Sequence, residues 1–478
     1  MKRLKLLAIT MLLATGFSMQ GCSNNNEHGL DPDKPITIHL WNYYSGAQKV
    51  SFDKLVETFN ETKGKEKGII VEASAKGSIS NIQSSLSDIL QKKVNAEEMP
   101  DIFSTYADTA QEMNEADMLV SIKDYMSEEE LDTFVPSYLE EGRIYSDEDI
   151  KIFPIAKASE VLVLNKVDWE AFAKATNTKI DELSTWEGLN QVAKKYYDYS
   201  GKAFFGRDAL MNYLNTGSTQ LGSAMFEVDA KTKNAKFTPD KAVFKKLWDN
   251  YYIPYVSGYY TKIGKFASDD IKTNDIIASV SSSAGATFFP KEIALEGNKT
   301  KEIDYLVLPI PNFEGCKPYA VSQGAGMAIS KSTEQKEYAS IVFLKWLSEP
   351  DQNIAFTAAS SYLPVTKEAT DIDMWKEKTQ QEGIEMRDIV SDCIQVSMKQ
   401  INESTLSTQE NFNNSYLVRN KLEEAFLNVA VSDQKAVNDA ISKGTSKKEA
   451  LAKYTSDAYF EAWYNAMQKD IDQLLQEG

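Results

Sequence analysis

Aromatic and acidic side chains, rather than histidines and cysteines, are the chemically useful residues of this sequence. The chain has two histidines, His28 and His39, and three cysteines, which is too small a set for the usual zinc sites. It has no Gly-x-Ser-x-Gly motif, the signature of one large class of hydrolases. Its 70 aspartates and glutamates leave a glycosidase-type pair of carboxylates open as an alternative. We therefore predict a binding protein that uses rings and carboxylates and needs neither a metal nor a cofactor.

Trp41, Tyr43 and Tyr44 stand together at the end of the first predicted strand. An aromatic face can stack on the apolar C–H face of a sugar, while hydroxyl groups bind its polar edges. Packing in a core is the alternative for each ring. Asp108 and Glu160 are carboxylates that could accept hydrogen bonds from a hydroxylated solute, although lone carboxylates are also common as solvated surface groups. Together these residues predict a site for a small polar solute.

Strands and helices alternate along the first part of the chain and would position these residues. Residues 36–44, 68–75 and 100–103 have the β-branched and aromatic composition that is typical of strands. Between them, residues 52–59 and 82–90 carry apolar side chains three and four positions apart, which indicates helices. This alternation predicts an α/β fold with a parallel sheet, and such sheets bind ligands at the carboxyl ends of their strands.

Length and charge limit the possible classes of protein. At 478 residues the chain exceeds one ordinary core, which predicts two or three domains. The formal net charge of −18 repels phosphate backbones and anionic lipid, so we expect neither a nucleic acid nor a broad lipid surface as a partner. A small solute stays compatible with this charge, because a few buried groups set the local polarity of a pocket.

The N-terminus has the layout of a secretory signal. Lys2, Arg3 and Lys5 precede an apolar run over residues 6–17, which is too short to span a bilayer as a stable helix. The following Met-Gln-Gly-Cys, which ends at Cys22, resembles the lipobox of bacterial lipoproteins, in which the cysteine is lipidated. This resemblance implies that the mature chain begins at a lipid-bearing residue.

A lipobox implies a signal peptide over residues 1–21, a Cys22 that carries palmitate, and a flexible tether over residues 22–34. Met19 and Gln20 depart from the usual Leu-(Ala/Ser), and a plain signal peptide with a chance cysteine is the alternative. We expect the mature protein at the extracytoplasmic face of the cell membrane, held there by its lipid anchor only. In that setting Cys316 and Cys393 could form a disulfide or remain free thiols.

Four segments are similar to the extracellular solute-binding proteins of the carbohydrate-uptake family, which includes maltose- and glycerol-phosphate-binding proteins. The segments are ITIHLWNYYSGAQKVSFDKLVETFNE (residues 36–61), MPDIFSTYADTAQEM (99–113), FPIAKASEVLVLNK (153–166) and FLKWLSEPDQNIAFTAASSYLPVTKEA (343–369). They occur in the order that the family has, and no catalytic motif is among them.

The resemblance implies a two-lobed periplasmic-binding-protein fold of type II, like that of maltose-binding protein, with a mixed sheet flanked by helices in each lobe. Hinge closure around a ligand is the motion that this layout supports. The implied boundaries are 35–156 plus 287–330 for the first lobe and 157–286 plus 331–478 for the second, with hinges near Ala156–Lys157, Gly285 and Ser330.

The implied function is the capture of a solute for an ABC importer. The partners would be a small solute in the cleft between the lobes and the permease subunits in the membrane, and the protein would act as a monomer and not as an enzyme. An extracytoplasmic hydrolase and a surface scaffold that uses the same fold are the alternatives. Ligand-induced closure would separate a binding protein from a scaffold, and product formation would separate it from an enzyme.

The nearest resemblance is to the glycerol-phosphate-binding branch, and it implies further site residues. NFNNSYLVRNKLEEAF (residues 411–426) places Arg419 where that branch has a ligand-binding arginine, whose planar fork suits a phosphate or carboxylate. Each of these residues also has an ordinary structural or solvated alternative. The further implied contacts are Tyr362, Ser282 and Ser283 of a serine-rich turn, Gly324 at a close backbone approach, and Asp208 beside Arg207.

Three positions depart from the glycerol-phosphate pattern. Ile79 stands where the branch has a tyrosine, Ala107 where it has a glutamate, and the stretch around Arg207 lacks its tryptophan. The resemblance therefore leaves the solute open among a sugar, an oligosaccharide, a polyol and a glycerol phosphate.

Overall fold

The computed structural model describes residues 27–144, 149–229, 231–295, 297 and 299–477. The predicted signal peptide and Cys22 lie outside the described residues. Within them the chain forms two four-stranded sheets, each flanked by helices, and three two-stranded ribbons. The α/β fold predicted from the alternation of strands and helices, and the two mixed sheets that the resemblance implies, are confirmed.

The strands are β1 (Ile36–Asn42), β2 (Ile69–Ala75), β3 (Ile102–Thr105), β4 (Glu160–Asn165), β5 (Phe205–Arg207), β6 (Phe226–Val228), β7 (Ala235–Phe237), β8 (Ala278–Ser282), β9 (Glu292–Leu295), β10 (Lys299–Glu302), β11 (Tyr305–Pro309), β12 (Tyr319–Val321), β13 (Gly326–Ile329) and β14 (Thr405–Ser407). The α-helices are α1 (Gly46–Glu61), α2 (Lys63–Lys67), α3 (Ile79–Leu90), α4 (Ala107–Glu115), α5 (Glu128–Leu131), α6 (Pro136–Glu140), α7 (Lys166–Thr176), α8 (Trp186–Ser200), α9 (Leu210–Gln220), α10 (Lys241–Val256), α11 (Ala267–Lys272), α12 (Glu334–Ser348), α13 (Pro350–Ser360), α14 (Ile372–Gln381), α15 (Asp388–Glu403), α16 (Ser415–Ser442), α17 (Lys447–Ala452) and α18 (Asp457–Glu477).

Side-chain caps fix where several of these helices begin. Ser78, Asn165, Thr185, Asp240 and Thr333 each accept a hydrogen bond from a backbone N–H two or three residues later, at the starts of α3, α7, α8, α10 and α12. Such a cap satisfies a donor that has no partner within the helix. The helix starts are therefore encoded locally, independently of the sheets on which the helices pack.

The first sheet has the strand order β13-β3-β1-β2. β1 is parallel to β2 and β3, whereas β13 is antiparallel to β3. Because side chains alternate along a strand, β1 directs Ile38 and Leu40 into a core with α1, α12 and α13, and Trp41 into a core with α3 and α4. We call this sheet and its helices the first lobe.

The second sheet has the strand order β11-β4-β8-β5, with β4 antiparallel to both of its neighbours and β8 parallel to β5. Leu162 and Leu164 face a core built with α8, α10, α16 and α18, and Val161 and Val163 face a core with α14 and α15. All four side chains are fully buried, which explains why β4 reads as a continuous apolar run. We call this sheet and its helices the second lobe.

The chain crosses between the sheets at places that differ from the predicted partition. β11 belongs to a segment predicted for the first lobe, yet it pairs with β4 of the second sheet. α12 and α13 belong to a segment predicted for the second lobe, yet α12 packs in the core of the first. α13 packs in both cores, through Phe356 in the first lobe and through Ile354 and Ala358 in the core with α14 and α15. Ser330, predicted near a hinge, donates to the carbonyl of Pro100 at 2.6 Å within the first lobe. Periodicity identified these elements but carries no information on which sheet they join.

The segment before β1 lies against the first lobe instead of forming a free tether through residue 34. Leu30 is buried in the first-lobe core, and His28 Nδ1 lies 2.7 Å from Glu334 Oε1. The imidazole of His28 also packs on the ring of Tyr338, with centroids 4.1 Å apart. Among the helices in the described ranges, none combines the length and the apolar character that crossing a bilayer requires.

Trp248→Ala tests the second-lobe core. The indole is buried and stacks on Tyr252, with ring centroids 3.6 Å apart. We expect the substitution to lower the free energy of unfolding by about 3–5 kcal/mol, because it leaves a cavity that the core cannot fill. Denaturant unfolding followed by circular dichroism measures this loss. Val431→Ala, on the exposed side of α16, is the control and should change stability by less than about 0.5 kcal/mol. A loss for Trp248→Ala no larger than that of the control would contradict this account of the core.

Candidate functional site

A cavity of about 740 Å³ lies between the two lobes. One wall follows the carboxyl end of β3 and the other follows the carboxyl end of β5, which is where sheets of this kind bind ligands. The volume falls within the range of roughly 300–1,000 Å³ that is usual for small-molecule sites. This cavity is therefore the candidate functional site.

The first-lobe wall is formed where β3 runs into α4 and by α6 with the turn that follows it. Residues 105–108 supply the first part, and Tyr138, Glu141 and Arg143 supply the second. Arg143 Nε donates to Glu140 Oε1 at 3.0 Å, so the charge of this guanidinium has a partner on the same wall. Both aromatic rings and charged groups therefore face the cavity from the first lobe.

The second-lobe wall is rich in carboxamides. The start of α9 supplies Asn212, and the loop before α16 supplies Gln409 and Asn411. From α16 itself, Tyr416 and Arg419 reach the cavity. A carboxamide both donates and accepts hydrogen bonds in one plane, which suits a ligand whose hydroxyl groups do the same.

A short crossing segment closes the cavity at the hinge side. The backbone N–H of Ala158 donates to the carbonyl of Gln323 at 2.7 Å, and that of Leu363 donates to the carbonyl of Lys157 at 2.6 Å. The ammonium of Lys157 also contacts the carbonyl of Gly324 at 3.0 Å. Gly324 has φ +112°, and a Cβ there would lie 3.2 Å from a backbone oxygen of the segment, so a glycine suits this approach.

A buried ion pair supports the floor of the cavity. Arg207 Nη2 donates to Glu160 Oε2 at 2.8 Å, and the two side chains are only 1% and 3% exposed. Burial raises the pKa of Glu160, while the charge of Arg207 opposes that shift. Asn212 Nδ2 donates to Glu160 Oε1 at 3.0 Å and to Gln323 Oε1 at 2.9 Å, and Gln409 Nε2 donates to Asn212 Oδ1 at 2.8 Å. The ion pair therefore orients a row of carboxamides at the cavity surface.

Three of the predicted site residues line this cavity: Asp108, Gly324 and Arg419. Asp108 comes from the first lobe and Arg419 from the second, and Arg419 Nη2 lies 3.3 Å from Asp108 Oδ2. Glu160, predicted as a hydroxyl acceptor at the cleft edge, instead lies beneath the floor. Both of its oxygens already accept hydrogen bonds from the protein.

The predicted aromatic contacts lie in the first-lobe core rather than at the cavity wall. Trp41 is buried, and the ammonium of Lys76 sits 4.0 Å above its ring. Tyr43 and Tyr362 share a hydrogen bond of 3.0 Å between their hydroxyl groups. Tyr43 and Tyr362 pack next to α1 and α13, and Trp41 packs next to α3 and α4, so the packing alternative describes these rings.

Asp208, Ser282 and Ser283 also lie away from the cavity lining. Asp208 Oδ1 accepts from the backbone N–H of Ala267 at 2.9 Å and from Lys262, and it fixes the loop before α11. The hydroxyl of Ser283 accepts from the backbone N–H of residue 159 at 3.2 Å. Ser282 pairs in register with Glu160 at the end of β8. These residues shape the crossing region without facing the cavity.

Sequence reasoning missed the carboxamides and all three tyrosines of the cavity wall, Tyr106, Tyr138 and Tyr416. Asn212, Gln409 and Asn411 belong to no motif, and Tyr138 and Tyr416 sit on helices whose other residues build the core. The one usable signal was the concentration of Asn and Gln over residues 409–414, directly before the helix that carries Arg419.

Neither a metal site nor a disulfide is found in the part of the chain that the structure describes. No three His, Cys, Asp or Glu side chains converge there in a way that could hold a metal ion. Cys316 and Cys393 are free thiols, which decides between the two alternatives that the sequence left open. Burial raises the pKa of the Cys393 thiol, so this group stays protonated and unreactive.

Solved structures with the same fold come from several bacteria. The cyclic α-maltosyl-1,6-maltose-binding protein of Arthrobacter globiformis superimposes with a TM-score of 0.68 at 15% identity, over 93% of this chain and 100% of that one. UgpB of Mycobacterium tuberculosis, in complex with glycerophosphocholine, gives 0.66 at 15% identity, over 92% and 98%. The maltose/maltodextrin-binding domain MalE of Bdellovibrio bacteriovorus, bound to maltotriose, gives 0.60 at 13% identity, over 91% and 100%. At these identities the likeness establishes the two-lobed fold.

A family-level match comes from the sequence. The profile described as "Bacterial extracellular solute-binding protein" matches residues 54–382, which is more than half of the chain, whereas no individual curated protein sequence matches it. The matched range includes the whole second sheet, every strand of the first sheet except β1, and both sides of the hinge crossing. The family, like these structural neighbours, consists of substrate-binding proteins rather than enzymes. The profile, the two-lobed fold and the cavity between the lobes thus agree: this chain belongs to the bacterial extracellular solute-binding proteins, which serve ABC importers of sugars or related solutes.

Proposed function

We propose that this protein captures an uncharged sugar or short oligosaccharide in the interlobe cavity and presents the closed, loaded form to the permease subunits of its importer. The observation that carries the proposal is the cavity itself, because both lobes line it and its second wall is a row of carboxamides. Asn212, Gln323 and Gln409 are linked in series to the buried Glu160–Arg207 pair, which keeps them oriented before a ligand arrives.

Rings at the cavity supply the apolar part of sugar recognition. Tyr106 and Tyr416 line the cavity and are 40% and 43% exposed. An exposed ring beside carboxamides provides a surface for the C–H face of a sugar together with donors and acceptors for its hydroxyl groups. Two of the structural neighbours described above carry maltose-type oligosaccharides in their names, which agrees with this class of solute.

The alternative ligand is glycerol phosphate or a glycerophosphodiester, for which the complex of UgpB with glycerophosphocholine is a precedent. A phosphate needs a cation that is free to donate to it. Four cations line the cavity, Arg143, Lys157, Lys233 and Arg419. Three of them contact a carboxylate: Arg143 contacts Glu140, Lys157 contacts Glu141, and Arg419 contacts Asp108. The paired charges favour an uncharged solute.

The lobe boundaries that we propose follow the sheets. The first lobe would comprise residues 35–156 with β13, α12 and α13, and the second would comprise residues 157–286 with β11 and α14 to α18. The two lobes would close around the hinge crossings, and the closed form would bind the solute more tightly than the open form. Delivery to the permease depends on this difference in affinity.

We also propose that Cys22 anchors the protein to the extracytoplasmic face of the membrane through lipid. The folded part begins by His28, so the spacer is shorter than the sequence predicted. Residues 23–27 could reach at most about 18 Å when fully extended. The anchor would thus hold the first lobe close to the membrane, near the permease that it serves.

A thermal-shift screen of the soluble chain from residue 24 onward tests the proposed solute class. A solute that binds only the folded state raises the melting temperature by mass action. We expect a mono- or oligosaccharide to produce the largest shift, and glycerol 3-phosphate and glycerophosphodiesters to produce none. A shift with the phosphate compounds alone would overturn the assignment to uncharged solutes, and no shift with any saccharide would remove the support for sugar binding.

Tyr416→Ala tests the cavity as the binding site. We expect the affinity for the sugar found in the screen to fall about tenfold, which corresponds to roughly 1.4 kcal/mol, because one stacking surface is lost. Isothermal titration calorimetry measures the change. Leu417→Ala is the matched control, since Leu417 is the next residue of α16, is 53% exposed and does not line the cavity. Equal losses in the two variants would contradict the placement of the site.

Cys22→Ser tests the anchor. In the native host we expect the wild-type protein in the membrane fraction and the variant in the soluble extracytoplasmic fraction, since the acyl chains would have no attachment point. Cys316→Ser removes a free thiol of the folded part and should leave the protein in the membrane fraction. A Cys22→Ser variant that stays bound to the membrane would rule out lipid attachment at this residue.

A further inference from the structure

α4 of the first lobe meets the second lobe across the rim of the cavity. Gln111 Nε2 donates to Asn413 Oδ1 at 2.7 Å, and Asn411 Nδ2 donates to Gln111 Oε1 at 2.7 Å. These hydrogen bonds join α4 to the loop before α16 and hold Asp108 opposite Arg419. At this rim the lobes are therefore joined by three carboxamides, Gln111, Asn411 and Asn413, beside an ion pair.

The ion pair is largely shielded from solvent. Arg419 Nη2 lies 3.3 Å from Asp108 Oδ2, and the side chains are 16% and 12% exposed. The other oxygen, Asp108 Oδ1, accepts from the backbone N–H of Thr109 at 2.8 Å in the first turn of α4, where the helix dipole favours a negative charge. Within the described residues, Asp108 is the one carboxylate that forms a salt bridge with Arg419.

An arginine in this position would otherwise bind anions. A guanidinium donates two parallel hydrogen bonds to a phosphate or carboxylate, and a partly desolvated guanidinium gains more from such a partner than one in water. Burial lowers the pKa of Arg419, because the cavity wall disfavours its charge unless an anion lies close by. Asp108 supplies that anion from the opposite lobe.

We propose that Asp108 sets the charge selectivity of the cavity. By neutralising Arg419 when the lobes are closed, it withholds that guanidinium from phosphate and restricts the site to uncharged solutes. The inference rests on the proposed binding of an uncharged solute and deepens it, since it names the residue that excludes charged ones.

Asp108→Asn tests this assignment. The variant keeps the shape of the side chain and an acceptor oxygen but removes the charge that compensates Arg419. We expect glycerol 3-phosphate and inorganic phosphate to bind D108N about 10- to 100-fold more tightly than they bind the wild type, as measured by isothermal titration calorimetry at fixed ionic strength. The double variant D108N/R419Q should return to the wild-type value, because it has no guanidinium to release.

Asp117→Asn is the matched control. Asp117 lies just beyond the end of α4, pairs with Lys331 and does not line the cavity, so the substitution changes the net charge equally outside the site. We expect it to leave phosphate binding unchanged. Circular dichroism and the melting temperature without ligand establish that each variant is folded before the affinities are compared.

The possible results separate this inference from the proposed function. If D108N gains no phosphate affinity while the wild type binds a sugar, the role of Asp108 is overturned and sugar binding stands. If the wild type binds glycerol 3-phosphate as tightly as D108N does and binds no saccharide, both proposals fail. An equal gain of phosphate affinity in D117N would show that net charge causes the effect. A gain of phosphate affinity that persists in D108N/R419Q would show that another cation binds the phosphate. Either result would overturn the assignment.

Discussion

The crossing segment at residues 157–160 is the constraint on which the rest of the structure depends. Its backbone is hydrogen-bonded to Gln323 on one side and to Leu363 on the other, and it leads directly into β4, the strand at the centre of the second sheet. A strand that is bonded on both sides cannot shift its register without breaking every pair, so the register of the chain is fixed at this crossing. The cavity opens beside this segment, with Lys157 at its wall and Glu160 beneath its floor.

The pairing of buried and half-buried charges is the second feature that shapes the site. The net charge of −18 means that carboxylates outnumber cations in this protein. At the cavity, Arg143, Lys157 and Arg419 each form an ion pair with a carboxylate. The Glu160–Arg207 pair is fully buried, where breaking it would leave an uncompensated charge, and it orients the carboxamides above it. The Asp108–Arg419 pair instead spans the two lobes, so it forms only where they meet. The Glu160–Arg207 pair therefore supports the site from below, whereas the Asp108–Arg419 pair depends on closure of the lobes.

Comparison of the predicted and observed residues shows where local sequence information ends. Asp108, Gly324 and Arg419 were predicted for the site and do line the cavity, whereas Trp41, Tyr43 and Tyr362 were also predicted for it and pack with the first-lobe cores. Trp41 and Tyr43 could not be assigned from sequence, since a ring at a strand end can turn to the core or to the cleft with the same local pattern. The carboxamides that dominate the second wall were missed because Asn and Gln in a loop carry no periodicity and no motif.

The sequence by itself determined the elements and the family. The β-branched and aromatic composition of the strands and the three- and four-residue spacing of apolar side chains in the helices are properties of neighbouring residues, and they predicted an α/β fold. Only the tertiary structure decided which elements share a sheet, as β11, α12 and α13 show, and which charges meet. Asp108 and Arg419 are 311 residues apart, and Glu160 and Arg207 are 47 apart. Contacts between distant residues depend on how whole sheets and helices pack, and a local pattern of residue types does not encode them.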